Sequence, residues 1–169
     1  MYIVVEQTQT NRSSLSLGGL ECRCSIGKGG ITENKFEGDL CTPAGKWPLR
    51  RVFYREDRVQ QPDTSLQTRR VSKNMGWSDD PRSKNYNRKI TLRGKYKYSY
   101  EKLYRKDSNY DLLIPIKYNY KNPIKNKGSA IFLHLTKDYR PTAGCIALKK
   151  KDFLVMLNLI NKNTKIKII

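Results

Sequence analysis

"GSAIFLHLTKDYRPTAGCIALKK", residues 128–150, is the stretch on which the reading of the fold turns. It opens with an apolar run that holds the chain's only histidine, His134, passes through a polar loop, and ends on Gly144-Cys145 and a second short apolar run. Apolar runs of this length, bounded by glycine and polar turn residues, read as buried strands. Side chains alternate along a strand, so Ala130, Phe132 and His134 share one face and Ile131, Leu133 and Leu135 the other. His134 then stands at the strand's C-terminal end, beside the loop. In that loop Pro141 fixes one backbone angle and Gly144 permits angles closed to other residues. A tight turn there is expected to expose the Cys145 sulfur and aim consecutive backbone N–H groups at one point, as an oxyanion requires. The thiolate is the reactive form of cysteine, and a neighbouring imidazole favours it. Cys145 is thus a candidate nucleophile and His134 its candidate base. The competing reading is a buried, inert cysteine with a structural or solvent-facing histidine.

Outward from this stretch the signals are those of strands. "YIVVEQ", "LECRCSIG", "KWPLRRVFYRE", "RKITLRG" and the closing "TKIKII" are alternating or β-rich, and glycine or proline turns separate several of them. "YDLLIPIKYNY" is apolar and aromatic, with Pro115 marking an edge or a break. Residues 57–87 are polar and turn-rich and read as long loops, a length more often functional than accidental. "SYEKLYRKD" reads as a helical turn or two. In "KKKDFLVMLNLINKN", residues 149–163, Phe153, Met156, Leu157 and Ile160 recur at the spacing of an amphipathic helix. The expectation is one mostly-β domain over residues 1–169, with long loops and a C-terminal amphipathic helix.

Composition narrows the classes. No run of apolar residues is long enough to span a membrane. The N-terminal stretch reads as a first strand rather than a signal peptide, which leaves a cytoplasmic protein, a mature form and an internal start all open. Lysine and arginine total 34 against 15 acids, a net charge of +19. Such a surface favours polyanions. Yet the bases are spread along the whole chain beside abundant Asn and Ile, which fits compositional drift equally well. One histidine and no C-x-x-C pair give no zinc pattern. Cys22 and Cys24 lie two apart on one strand face and read as small core residues, with a disulfide to Cys41 as the alternative. Asp79-Asp80 fits acid–base work, a cation or an ordinary turn. Trp77, Tyr86 and Tyr104 are candidates to line a groove, although aromatics commonly pack. Arg140, between histidine and cysteine, is placed to meet a carboxylate.

"IFLHL" with "RPTAGCIAL" resembles the active-site signature of the L,D-transpeptidase (YkuD/ErfK) family, whose usual form is a histidine, a spacer, then Ser/Thr-His-Gly-Cys. The resemblance extends through "GKGGITENKFEGDLCTPAGKWPLRRVFYR", "MGWSDDPRSKNYNRKITL" and "YEKLYRKDSNYDLLIPIKYN", which are similar to the family's short single-domain proteobacterial branch. It implies a β-sandwich catalytic domain acting on peptidoglycan tetrapeptide stems at the periplasmic or cell-envelope side, with no cofactor, no metal and no nucleic-acid partner. Cys145 would attack the bond between a diamino acid and the terminal D-alanine. His134 would be the base, oriented by the Leu135 carbonyl, and Gly144 would supply an oxyanion N–H. Transfer to an amine gives a 3→3 cross-link; transfer to water, or an amidase variant, gives hydrolysis. Carbapenems would acylate the same cysteine. A non-catalytic basic binding module is the reading from another class. The sequence departs from the usual motif at Ala143 and Ala147 and in a shorter spacer. Thr142 or Tyr139 would then replace the missing polar contact, and Arg140 the missing carboxylate contact, with Trp77 lining the groove.

Overall fold

The structure, a computed structural model, describes residues 1–9 and 12–169. Its strands are β1 (Tyr2–Gln9), β2 (Arg12–Leu17), β3 (Leu20–Cys24), β4 (Ile31–Thr32), β5 (Thr42–Pro43), β6 (Gly45–Pro48), β7 (Arg51–Tyr54) and β8 (Gln67–Arg70). They continue as β9 (Met75–Ser78), β10 (Arg88–Thr91), β11 (Tyr100–Lys102), β12 (Leu112–Pro115), β13 (Phe132–Leu135), β14 (Ile146–Leu148) and β15 (Lys165–Ile168). Helix α1 (Lys150–Leu159) precedes β15. Two five-stranded sheets carry the fold, ordered β3-β2-β1-β15-β6 and β14-β13-β12-β7-β8. β1 and β15 run parallel, as do β13 and β14, and β7 and β8.

The main core fills the space between these sheets. Ile3, Val5, Leu15, Leu17, Ile166 and Ile168 come from the first; Val52, Leu112, Ile114, Leu133, Leu135, Ile146 and Leu148 come from the second. Phe153, Met156 and Leu157 of α1 join the same core. The i, i+3, i+4 spacing puts these three on one stripe, and each stabilises the fold by roughly 1.5–3 kcal/mol through burial. The mostly-β architecture with a C-terminal helix therefore holds. A smaller sheet, β10-β9-β11, covers the other face of the second sheet. A second cluster lies between them: Phe53, Met75, Trp77, Leu103, Tyr110, Leu113, Phe132 and Cys145.

Three local expectations change. Residues 99–107 form no helix: β11 pairs with β9, and the Tyr100 ring lies on Gly76, where a Cβ would stand 2.8 Å from Tyr100 Cδ2. That tertiary seat overrides a local pattern of Glu, Lys, Leu and Arg that favours helix. Residues 57–87 are not loops throughout, because β8 and β9 lie inside them and all four residues of β9 are buried. Of the two readings of Pro115, the break is realised and the edge is not: β12 is an interior strand that ends at Pro115, and its registered pairing with β7 stops at Leu113.

A polar clip joins the two large sheets near their shared edge. Ser25, just past β3, exchanges both backbone bonds with Ala147 of β14, at 2.8 and 2.9 Å. Beside it the buried Thr42 hydroxyl accepts the Gly27 N–H at 2.8 Å and donates to the Gly144 carbonyl at 2.9 Å. Thr42→Val removes both bonds and leaves a buried donor and acceptor unpaired, an expected loss of roughly 2–4 kcal/mol. Urea denaturation checks this against Thr42→Ser, which keeps both bonds and should shift the midpoint far less.

Candidate active site

Strand register builds the site. β13 and β14 run parallel with His134 opposite Ala147 and Leu133 opposite Ile146. Cys145 is the next residue back, so Cys145 and Ala147 share a face with Phe132 and His134. The sulfur and the imidazole therefore project from neighbouring strands as diagonal neighbours on the same side. The opposite residues of β13, Leu133 and Leu135, are in the main core, and Phe132 is in the second cluster, so the alternation read from the sequence is realised.

The backbone around Cys145 is tightly determined. Gly144 sits at φ +139°, and a Cβ there would stand 2.8 Å from the Cys41 carbonyl oxygen, so this position requires glycine. The Thr142 hydroxyl donates to the Cys145 carbonyl at 2.6 Å and accepts the Gly144 N–H at 3.1 Å. Cys145 Sγ donates to the Ala130 carbonyl at 3.3 Å and accepts the Phe132 N–H at 3.3 Å. The expected exposed sulfur is instead 9% exposed, because the turn packs it against the second cluster. Burial pushes the thiol up to about 12, with the Phe132 N–H opposing that rise.

His134 is 7% exposed. Its Nδ1 lies 2.8 Å from the Leu135 carbonyl oxygen. A carbonyl only accepts, so Nδ1 carries the proton and Nε2 keeps a free lone pair. Burial pulls the imidazole down to about 4; the Leu135 carbonyl opposes this and the Arg105 charge adds to it. The Tyr110 ring meets the imidazole edge-on at 5.2 Å, and Arg105 lies 4.9 Å from the Tyr110 ring centre. Arg105 is forked onto Asp107 and bonded to Glu101. Arg55 and Arg58 hold this wall by donating to the carbonyls of Arg105, Lys106 and Asp107.

Cys145 and His134 open into one cleft of about 930 Å³, whose lining includes Arg140, Thr142, Lys35, Glu37, Glu101 and Asp79. The other sequence candidates fall in different places. Arg140 stands at the cleft, 86% exposed and paired at 2.7 Å with the partly exposed Asp138. Tyr139 does not line it: its ring lies beneath Arg23 at 4.6 Å, on the β3 side. Trp77 does not line it either, being 3% exposed in the second cluster. Its indole N–H donates to Asn87 Oδ1 at 2.9 Å, which also accepts the Ala130 N–H at 3.1 Å. Ala130, held at φ +52°, turns its carbonyl to Cys145, so Trp77 is linked to the site through this relay and through its edge-on packing against Phe132. Tyr86 donates to Glu37, and Tyr104 is stacked on Arg55. Asp80 makes an ordinary turn, held well below the usual carboxylate range by Arg82. Asp79 is different: it lines the cleft with a buried Oδ1 that has no hydrogen-bond partner among the described residues, and burial pushes it up. Glu101 and Arg105 escaped the sequence reading because residues 99–107 read as helix, and Tyr110 because its apolar, aromatic stretch reads simply as a packed strand. All four thiols are free.

The site thus sets a buried thiol and a buried imidazole on one sheet face of a β-sandwich, at a cleft both of them line. The chain belongs to the YkuD family, the L,D-transpeptidase catalytic domain, whose model matches residues 1–168. No curated protein matches the sequence. Two solved structures are similar in shape. One is the helical cell shape determining protein Pgp2 from Campylobacter jejuni, at 16% identity and a TM-score of 0.46, covering 99% of this chain and 46% of that one. The other is Bd1075 from Bdellovibrio bacteriovorus, at 16% identity and 0.44, covering 99% and 47%. The chain thus spans under half the length of either. No helix among the described residues is long and apolar enough to cross a membrane.

With the thiol near 12 and the imidazole near 4, the resting site holds two neutral groups, not an ion pair. Iodoacetamide should therefore modify Cys145 at a rate that climbs about tenfold per pH unit from pH 7 to 10, since only thiolate reacts. Peptide mass spectrometry reads this separately from Cys22 and Cys41. A rate already on a plateau at pH 7 would show a preformed thiolate–imidazolium pair.

Proposed function

We propose that the chain is a cysteine acyltransferase of the L,D-transpeptidase type, acting on peptidoglycan tetrapeptide stems in the cell envelope. The observation that carries this reading is the 2.8 Å contact of His134 Nδ1 with the Leu135 carbonyl: an Nδ1–H that donates there leaves the Nε2 lone pair free, on the sheet face that Cys145 shares. A buried neutral imidazole has its lone pair available at neutral pH, though as a weak base it takes a proton only as the thiol sulfur forms its new bond. The family match and a cleft of a size suited to a peptide stem support the same conclusion.

The chemistry follows from the two neutral groups. Substrate fills the cleft and displaces water. The Cys145 S–H turns from the Ala130 carbonyl towards Nε2, and sulfur attacks the carbonyl carbon joining the diamino acid to D-alanine. Nε2 takes the thiol proton as the S–C bond forms, because transfer beforehand is strongly disfavoured. The tetrahedral oxyanion meets the Cys145 N–H, and the Gly144 N–H once Thr142 releases it. Collapse breaks the C–N bond, and the imidazolium returns its proton to the departing amine. The thioester then passes to an amine of a second stem, giving a 3→3 cross-link, or to water, giving a trimmed stem. Arg140 binds a substrate carboxylate by giving up its exposed pair with Asp138, which costs little.

Incubation with disaccharide-tetrapeptide muropeptides and mass spectrometry tests this. The expected product is a dimer that has lost one D-alanine. Cys145→Ala should abolish turnover, and His134→Gln should lower it by roughly 10²–10⁴. Loss of D-alanine without a dimer would assign the hydrolase on the same scaffold. Full activity in Cys145→Ala, or no turnover and no carbapenem adduct in the wild type, would overturn the proposal.

A further inference from the structure

A second pocket, of about 250 Å³, lies between the second large sheet and the small sheet and shares no lining residue with the cleft over Cys145. Its walls carry Arg50, Arg51, Lys89 and Lys117, together with Trp77 and Tyr120, and no carboxylate. The cleft over Cys145, by contrast, mixes acids with bases. Among the described residues none of these four cations forms an ion pair, although eight other pairs do form. Arg51, Lys89 and Lys117 are half-buried, so solvent screens them poorly. Burial, reinforced by neighbouring arginines, lowers both lysines. Like charges crowded without a counter-ion destabilise a fold. The Tyr120 ring holds Lys117 in place, with Nζ 3.3 Å from the ring centre, and Arg88 lies 4.6 Å from the same ring, so these contacts bring the cluster no anionic partner.

We propose that this pocket binds a phosphate-class oxyanion. A carboxylate offers two oxygens and one charge. A phosphate monoester offers three terminal oxygens and close to two charges, which matches several converging cations, two of them arginines suited to forked contacts. Tyr120, half-buried at the pocket wall and backed by the buried Trp77 at 6.2 Å between ring centres, offers an aromatic edge to the group that carries the phosphate. The pocket admits one such group, not a nucleic-acid strand. The ester is either soluble or a lipid headgroup; both present the same chemistry. This inference stands apart from the catalytic reading, since none of the four cations lines the cleft over Cys145 and His134.

The test titrates the purified chain with inorganic phosphate against chloride at matched ionic strength, following thermal melting. Wild type should gain roughly 3–6 °C over chloride at a tenfold excess over Kd. Lys89→Met/Lys117→Met should bind at least tenfold more weakly, yet melt no lower than wild type without phosphate, because repulsion is relieved. Lys150→Met/Lys151→Met, which removes the same charge from the exposed start of α1, should respond like wild type. Protection of Lys89 and Lys117 from acetylation by phosphate repeats the test without substitution. Sedimentation with phosphatidylcholine vesicles carrying phosphatidic acid, against phosphatidylcholine alone, assigns the headgroup if binding needs the same lysines; response to free phosphate alone assigns a soluble ester. Equal responses to chloride and phosphate, equal losses in both double variants, or unprotected lysines would overturn the proposal.

Discussion

The parallel pairing of β13 with β14 is the constraint on which the rest of the molecule depends. It sets His134 against Ala147 and so brings Cys145 alongside. Parallel neighbours normally need a crossover of roughly a dozen residues or more, commonly a helix. Here the return is made by residues 136–145, possible because both strands are short. The loop manages it with Tyr139 at φ +56°, its N–H held by the Thr136 hydroxyl, and with Gly144 pressed against the Cys41 carbonyl. A one-residue slip would carry Cys145 into the main core and destroy the site and the packing together.

The same pairing imposes the electrostatics. One face of β13 belongs to the main core, and the other enters the second cluster under the small sheet. A thiol and an imidazole on that second face are desolvated as a consequence of the fold, which keeps both neutral. Backbone groups then do the orienting. Leu135 fixes the tautomer, Ala130 and Phe132 fix the sulfur, and Asn87 links the Trp77 indole to the Ala130 N–H. Main-chain groups, more than a third side chain, therefore hold the thiol and the imidazole in place.

Much of this was legible from alternation and spacing. The two faces of 130–135 and the apolar stripe of 153–160 follow from periods of two and 3.6 residues, and Gly144 announces its own backbone. The small sheet was not legible. β9 is "MGWS", too short for a periodic signal, and its glycine serves the Tyr100 ring from a distant stretch. For the same reason residues 99–107 misread as helix, which hid Arg105 and Glu101. Tyr139 and Trp77 misled in another way. Each is close to the motif in sequence or chemically suited to a groove, and only the tertiary fold turns Tyr139 to Arg23 and buries Trp77.

The central claim is a neutral Nδ1–H imidazole waiting beside a neutral thiol. Because His134 is the only histidine, nitrogen-15 NMR of untagged, histidine-labelled protein reads it without ambiguity. The account predicts one protonated nitrogen, Nδ1, and a bare Nε2 from pH 8 down to pH 5, unchanged in Cys145→Ala. Two protonated nitrogens near pH 7, reverting to one in Cys145→Ala, would contradict it.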